Sequence, residues 1–158
     1  MARGTPATLM LEKAGVAFAT ATYDYDPGSE RVGLQAAEAM GVSPSIVLKT
    51  LMATVDGKPV CVVVPSDREV SMKKLAAAFG GKSAQMMKPP DAERITGYRV
   101  GGISPFGQKR KVPTAIEETA LALPEVFMNG GQRGLQVKMA PADAAHAIDA
   151  KIAPLVAD

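Results

Sequence analysis

The sequence has few of the side chains that most often act as nucleophile, base or metal ligand. It holds one cysteine and one histidine in 158 residues. A single cysteine excludes an intramolecular disulfide, and the pair cannot supply a usual zinc ligand set. His146 stands among alanines in a predicted helix, where a surface or packing role is favoured over that of a catalytic base. Ser-His-Asp and Cys-His mechanisms are therefore not expected, and neither a metal nor another cofactor is predicted.

Long apolar segments are also missing. No apolar run approaches the roughly 20 residues that a membrane-spanning helix needs, and Glu12 and Lys13 interrupt the apolar stretch near the N-terminus, unlike a signal peptide. We therefore expect a cytoplasmic protein without membrane contact. Its length suits a single domain over 1–158. The formal net charge of +2 permits contact with nucleic acid but does not argue for it.

Aromatic residues make up only 4% of the chain, so aliphatic side chains must fill the core. Apolar runs at 46–55 and 59–64 flank Asp56-Gly57, which is typical of a β-hairpin. Cys61 lies in the second run and is interpreted as a small buried hydrophobe. Short strands mixed with short helices, without regular βαβ alternation, predict an α+β fold with a mixed or antiparallel sheet. The other predicted elements are helices over 6–14, 34–40, 71–79 and 141–150, a short helix after Pro90-Asp91, and strands over 16–25, 112–116, 125–128 and 135–139.

The segment 96–114 is the most distinctive part of the sequence, with four glycines and two prolines. Glycine permits positive φ and proline removes a donor, so a long helix or a central strand is excluded here. A loop of this kind can present backbone N–H groups to an oxyanion or a phosphate. Arg99 and the basic run Lys109-Arg110-Lys111 lie within the same segment, so we expect an anionic substrate.

Two polar residues lie in strands that are predicted before this loop. Lys49 lies in an apolar run, where a lysine either faces a pocket or lies on an edge strand toward water. Tyr23 lies near the end of the strand predicted over 16–25, and its ring can belong to the core or its hydroxyl to a pocket. The pattern of residues leaves both alternatives open.

Together, these segments resemble the YbaK family of trans-editing proteins, bacterial deacylases that hydrolyse mischarged Cys-tRNA(Pro). The resemblance covers nearly the whole chain, and 96–108 is its most specific part. The further matching segments are Thr22-Tyr23 with Asp26-Pro27, Leu48-Lys49-Thr50-Leu51, Met72-Lys73-Lys74-Leu75 and Gly130-Gly131-Gln132-Arg133-Gly134-Leu135.

The resemblance implies a mixed, barrel-like β-sheet flanked by helices, and it assigns roles by position. Lys49 matches a functionally required lysine, and the loop from Gly101 to Pro105 matches the one that holds the substrate carbonyl and the terminal adenosine. We expect catalytic roles for Lys49 and for the amides of Gly101, Gly102 and Ile103. Substrate contacts are expected from Tyr23, Thr50, Tyr98, Ser104, Pro105, Gly131 and Gln136, and tRNA contacts from Arg99, Lys109, Arg110, Lys111 and Arg133.

The mechanism implied by the resemblance needs no protein nucleophile. The substrate's own cysteinyl thiol attacks its ester carbonyl, and the implied partners are the aminoacyl-tRNA acceptor end and prolyl-tRNA synthetase. Relatives often carry Asp where this chain has Gln136, which keeps an acceptor but loses the charge. Deacylation of Ala- or Ser-tRNA(Pro) therefore stays open as an alternative, as does a non-catalytic module that binds tRNA ends or a synthetase.

Overall fold

The computed structural model describes residues 4–25 and 32–158, which form short helices and short strands. The helices are α1 Pro6–Lys13, α2 Val32–Met40, α3 Met72–Ala78, α4 Pro89–Thr96 and α5 Pro141–Ala147, with 3-10 turns at Pro44–Ile46 and Glu118–Ala122. The strands are β1 Ala19–Thr22, β2 Leu48–Val55, β3 Lys58–Pro65, β4 Ala84–Met86, β5 Thr114–Glu117, β6 Val126–Asn129, β7 Leu135–Met139 and β8 Lys151–Ala153. Every helix within these ranges is too short or too polar to cross a bilayer.

The strands form two sheets in the described ranges. One has the order β1-β7-β6 and is antiparallel, and the other has the order β4-β2-β3-β5-β8. In the larger sheet, β2 pairs with β3 and β4 antiparallel, whereas β3, β5 and β8 are parallel. The two sheets meet through an isolated bridge between Val47 and Phe127. The expected α+β fold with a mixed sheet is confirmed, but these sheets do not close into a barrel.

The predicted hairpin is confirmed, with β2 and β3 joined at Asp56-Gly57. These two residues have φ values of 49° and 81°, the positive pair that a tight type I′ turn requires. β3 lies in the middle of its sheet and is buried from Val60 to Pro65. Because β2 pairs with this buried strand along its whole length, the position of Lys49 is fixed by the core.

Several predicted elements differ in length from the observed ones. The strand expected over 16–25 is limited to Ala19–Thr22, and the last helix ends at Ala147 rather than near residue 150. Lys151–Ala153, directly after the predicted helix, pairs with β5 as an edge strand that the sequence did not predict, because it depends on tertiary pairing. The short helix begins at Pro89, not after Pro90-Asp91. The matched pair Asp26-Pro27 lies outside the described residues.

The C-terminal segment is tied to the end of β5 by one buried carboxylate. Glu117 accepts hydrogen bonds from the backbone N–H groups of Leu155 and Val156 at 2.8 and 3.1 Å, and from that of Thr119 at 2.9 Å. Burial alone would raise the pKa of Glu117, but these donors outweigh it and lower the pKa. The held segment then pairs with 69–71, since Ala157 N–H donates to the Glu69 carbonyl.

Candidate functional site

A pocket of about 560 Å³ opens beside the first half of β2. Its wall also includes the loop after β3, the start of α4 and the glycine-rich loop after α4. Cavities of this volume are typical of small-molecule sites. Its lining includes Lys49, Thr50, Glu69, Gly101, Ile103, Asn129 and Gln136.

The edge of β2 is open along this pocket. β4 pairs only with Ala53–Val55, so no described strand covers the edge at Thr50. The Met52 carbonyl accepts from Met87 N–H on this side at 3.0 Å. Because backbone groups of alternate residues point to the same side of a strand, the N–H and C=O of Thr50 face the pocket edge. A ligand in the pocket can therefore hydrogen-bond with a backbone donor and acceptor of β2 as well as with side chains.

Lys49 lines this pocket, which distinguishes between the two alternatives that the sequence left open. Its side chain is 22% exposed, and its Nζ lies 3.9 Å from Oε1 of the 84% exposed Glu69. A pair that is this long and this open contributes little. The lysine is therefore available to a ligand in the pocket.

The glycine-rich loop faces the same pocket through Gly101 and Ile103. Gly101 has a φ of 92°, and a Cβ added there would lie 2.6 Å from Oη of Tyr25. Both the backbone and the space therefore require glycine at this position. Gly102 departs from the expected role, because its N–H donates to the Arg99 carbonyl at 2.8 Å and closes a turn. The amides of Gly101 and Ile103 have no acceptor among the described residues, so they remain the candidates.

Asn129 joins the two glycine-rich loops. Its Nδ2 donates to the Gly101 carbonyl at 3.0 Å, and its Oδ1 accepts from Gly131 N–H at 2.7 Å. The sequence patterns did not indicate Asn129 as a site residue, although an asparagine before Gly130-Gly131 is a recognisable turn signal. Glu69 and Met87 also line the pocket, and no sequence signal pointed to either.

Three buried oxygens lack a hydrogen-bond partner among the described residues, two of them on residues that line the pocket, Thr50 and Gln136, and one on Tyr23, which does not line it. They are Oη of Tyr23, Oγ1 of Thr50 and Oε1 of Gln136. Burial raises the pKa of Tyr23, although the nearby Gln136 side chain and the Gly134 backbone oppose this shift. The phenol is neutral at neutral pH, and its contact with the Gln136 side chain does not meet the geometry of an ordinary hydrogen bond. Leaving a buried polar group unpaired costs about 1–3 kcal/mol, so a ligand that pairs with these atoms is favoured.

Four of the residues expected to contact substrate have internal partners instead. Ser104 is fully buried and its Oγ accepts from Phe106 N–H, while the Tyr98 hydroxyl donates to the Phe106 carbonyl. Gly131 packs against the Tyr98 ring, and Pro105 is buried away from the pocket lining. These residues therefore stabilise the shape of the glycine-rich loops, since their polar atoms and surfaces contact other parts of the chain.

The residues expected to contact tRNA divide into separate groups. The Nε of Arg133 donates to the Val100 carbonyl at 2.9 Å, and its guanidinium lies 5.2 Å from the centre of the Tyr25 ring. Arg99 is exposed, next to the turn that Gly102 closes. The run 109–111 lies elsewhere: Lys109 packs beside Gly97, and the next two cations line a second cleft. These cations do not form the single patch that their spacing suggested.

The remaining nucleophile candidates lie outside the pocket lining. Cys61 is fully buried in β3, and burial raises the pKa of its thiol to about 12. His146 is exposed on α5. The interpretation of both residues as structural is consistent with these positions.

Comparison with known proteins gives one family. A family model described as the aminoacyl-tRNA editing domain matches residues 32–147. An Enterococcus faecalis protein named "Putative Cys-tRNA(Pro)/Cys-tRNA(Cys) deacylase EbsC" is 40% identical over 107 residues, which cover 66% of this chain and 65% of that protein. The match thus spans slightly less than two thirds of that relative. A proline–tRNA ligase of Maridesulfovibrio salexigens is 37% identical over 83 residues, covering 52% of this chain and 14% of the ligase.

One solved structure shares the fold along nearly the whole chain. It is described as "a putative trans-editing enzyme for prolyl tRNA synthetase" and superposes with a TM-score of 0.84 at 23% sequence identity. The superposition covers 97% of this chain and 96% of the other. This likeness confirms the fold that the sequence predicted.

Proposed function

Because the chain belongs to the aminoacyl-tRNA editing domain family, we propose that it deacylates mischarged Cys-tRNA(Pro), and also Cys-tRNA(Cys). The observation that carries this proposal is that Lys49 and the loop residues Gly101 and Ile103 line one pocket. A cation and free backbone amides at one site suit an ester whose carbonyl becomes negatively charged during cleavage.

The scarcity of protein nucleophiles at the pocket favours attack by the substrate itself. The cysteinyl sulfur forms a bond to its own ester carbonyl carbon, and the bond from that carbon to the ribose oxygen breaks. The departing ribose oxygen takes up a proton, which balances the one lost by the thiol, and a cyclic thioester of cysteine leaves. Holding the sulfur near the carbonyl makes the step unimolecular, where effective molarities of about 10⁵ M or more are known.

In this mechanism the N–H groups of Gly101 and Ile103 donate to the carbonyl oxygen as it becomes an oxyanion. A donor of this type typically lowers the barrier by about 3 kcal/mol. Lys49 holds a phosphate or ribose oxygen of the terminal nucleotide with its ammonium group. The two elements then hold the ester between them while the sulfur approaches the carbonyl carbon.

The unpaired oxygens of Thr50 and Gln136 suit the α-amino group of the aminoacyl ester. An ammonium group has only donors, and these two atoms, with Tyr23 close by, can accept from it. Gln136 is neutral, so it attracts the ammonium less strongly than a carboxylate would. The second candidate, deacylation of Ala- or Ser-tRNA(Pro), stays open at this position, because Gln136 contacts a group that all aminoacyl esters share.

Selectivity for the tRNA is proposed to come from a complex with prolyl-tRNA synthetase. The chain has a formal net charge of only +2, which gives weak intrinsic attraction to RNA. The relation to proline–tRNA ligases supports this partner, because a ligase contains a matching segment.

A panel of charged tRNAs, assayed with and without prolyl-tRNA synthetase, tests the proposal. Cys-tRNA(Pro) should be deacylated fastest, and the synthetase should raise kcat/KM for tRNA(Pro) substrates over other tRNAs charged with cysteine. Faster cleavage of the Ala or Ser ester would establish the second candidate. Binding without cleavage of any ester at saturating protein would contradict both and leave a binding module.

A further inference from the structure

A second cleft lies at the opposite end of β2 from the pocket. It has a volume of about 580 Å³ and lies between the β2–β3 hairpin, the end of α3 and the segment before β5. Three cations line it: Lys58 from the hairpin, and Arg110 and Lys111 from the segment before β5. All three are exposed.

These cations have no carboxylate partner in the described ranges. The one acidic residue of the cleft, Asp56, accepts from the backbone N–H groups of Lys82 and Ser83 at 3.1–3.2 Å. The Asp56 carboxylate is therefore already hydrogen-bonded to backbone donors. The cleft keeps a positive excess, which an anionic ligand would neutralise.

The backbone that carries the cations is fixed in place. Arg110 N–H donates to the Ile95 carbonyl at 3.1 Å, and the Pro113 carbonyl accepts from Cys61 N–H at 2.9 Å. The hairpin is held by its turn and by full pairing of its strands. The two sides of the cleft are therefore held at a fixed separation, which lowers the entropic cost of ordering them when a ligand binds.

We propose that this cleft binds backbone phosphates of the tRNA acceptor stem while the charged 3′ end occupies the pocket. The inference rests on the proposed function, because it takes RNA as the substrate. Lys49 and Val55 are six positions apart in one strand, so the two sites are about 20 Å apart at a strand rise of about 3.3 Å per residue. Phosphates about six nucleotides from the ester lie at that distance, given about 3.4 Å per nucleotide along a duplex axis.

Phosphate is the occupant that the side chains favour. Arginine can hold a phosphate through two parallel hydrogen bonds, and lysine contributes a mobile point charge. The cleft offers no base-reading asparagine or glutamine, so its contacts would position RNA without reading its sequence. This agrees with a site that serves any tRNA delivered to the pocket.

The test measures binding of uncharged tRNA(Pro) at low and moderate salt by three proteins: wild type, Lys58→Ala/Arg110→Ala, and the control Lys13→Ala. Lys13 is exposed on α1 and lines neither cavity. The double variant should bind about tenfold more weakly at low salt, and its salt slope should be smaller by about 1.5, since two phosphate contacts are lost. Affinity and slope equal to those of Lys13→Ala would overturn the proposal.

A small substrate separates this result from the chemistry. Cysteinyl-adenosine lacks the stem, so the wild type and the double variant should cleave it at the same rate. A matching loss on this substrate would overturn the proposal, because the variant would then have damaged the pocket. If the wild type cleaves neither this substrate nor Cys-tRNA(Pro), the proposed function fails, and the tRNA binding data still decide the role of the cleft.

Discussion

Asn129, the last residue of β6, connects Gly101 to the sheet, since its side-chain amide donates to the Gly101 carbonyl at 3.0 Å. The same side chain accepts from Gly131 N–H at 2.7 Å. One residue at the end of β6 therefore sets the orientation of both glycine-rich loops. The candidate amides of the pocket depend on this attachment, although Asn129 itself is distant in sequence from the loop that it holds.

Replacement of Asn129 by aspartate should lower kcat by about 10- to 100-fold, because small misplacements of catalytic groups cost up to about 100-fold. Aspartate keeps the acceptor for Gly131 but lacks the donor for the Gly101 carbonyl. Single-turnover deacylation of Cys-tRNA(Pro) measures the change. Wild-type kcat in Asn129→Asp would show that this attachment is not needed.

Gly101→Ala should abolish most of the activity. The added Cβ would lie 2.6 Å from Oη of Tyr25, and φ at this position is 92°. Gly15→Ala is the matched control, since Gly15 has a φ of 73° and no heavy atom within 4 Å of the added Cβ. Each variant should lose about 1–2 kcal/mol of stability through backbone strain, but only Gly101→Ala should lose deacylation. Equal activity in the two variants would contradict the assigned role of the loop.

Lys49→Ala should reduce kcat/KM by about 10- to 150-fold, which corresponds to the loss of one hydrogen bond from a charged group. Lys49→Arg should recover only part of this activity, because a planar guanidinium does not replace a compact ammonium. The exposed Lys13→Ala serves as the control for charge removal. Retention of wild-type kcat/KM by Lys49→Ala would exclude the lysine from the mechanism.

Glu117→Gln should destabilise the fold by about 1–3 kcal/mol at pH 7, because a buried carboxylate with three backbone donors is lost. The pKa of Glu117 is lowered in the folded state. Its stabilising contribution is therefore present above the unfolded pKa of about 4.3 and is lost as pH falls through the folded pKa. Urea unfolding should show the wild-type advantage at pH 7 shrinking toward pH 3. An advantage that stays constant over this range would contradict the assignment.

Features fixed by adjacent residues could be predicted from the sequence. The Asp56-Gly57 turn, the Ser71 cap of α3 and the Gly97 end of α4 all involve contacts within a few positions. β4 and β8 could not be predicted, because each has three residues and forms only by pairing with a distant strand. Their existence depends on the assembled sheet rather than on local propensity.

The candidate site could also be predicted only in part. The resemblance pointed to Lys49 and the loop, and the structure places them at one pocket. It could not show that the Gly102 amide is used in a turn or that the Ser104 hydroxyl is used by Phe106. Whether a backbone or hydroxyl group is free depends on its partner in the folded chain, which a motif does not record.

Comparison of Cys-tRNA(Pro) with Ser-tRNA(Pro) is the sharpest test of attack by the substrate's own thiol, because the two esters differ only in sulfur and oxygen. A serine hydroxyl remains protonated at neutral pH, whereas a thiol with a pKa of about 8.5 is partly ionised. Attack by the substrate thiol predicts rapid release of cysteine, with a cyclic thioester trapped by a nucleophile, and serine release near the uncatalysed rate. Equal turnover of the two esters would contradict it.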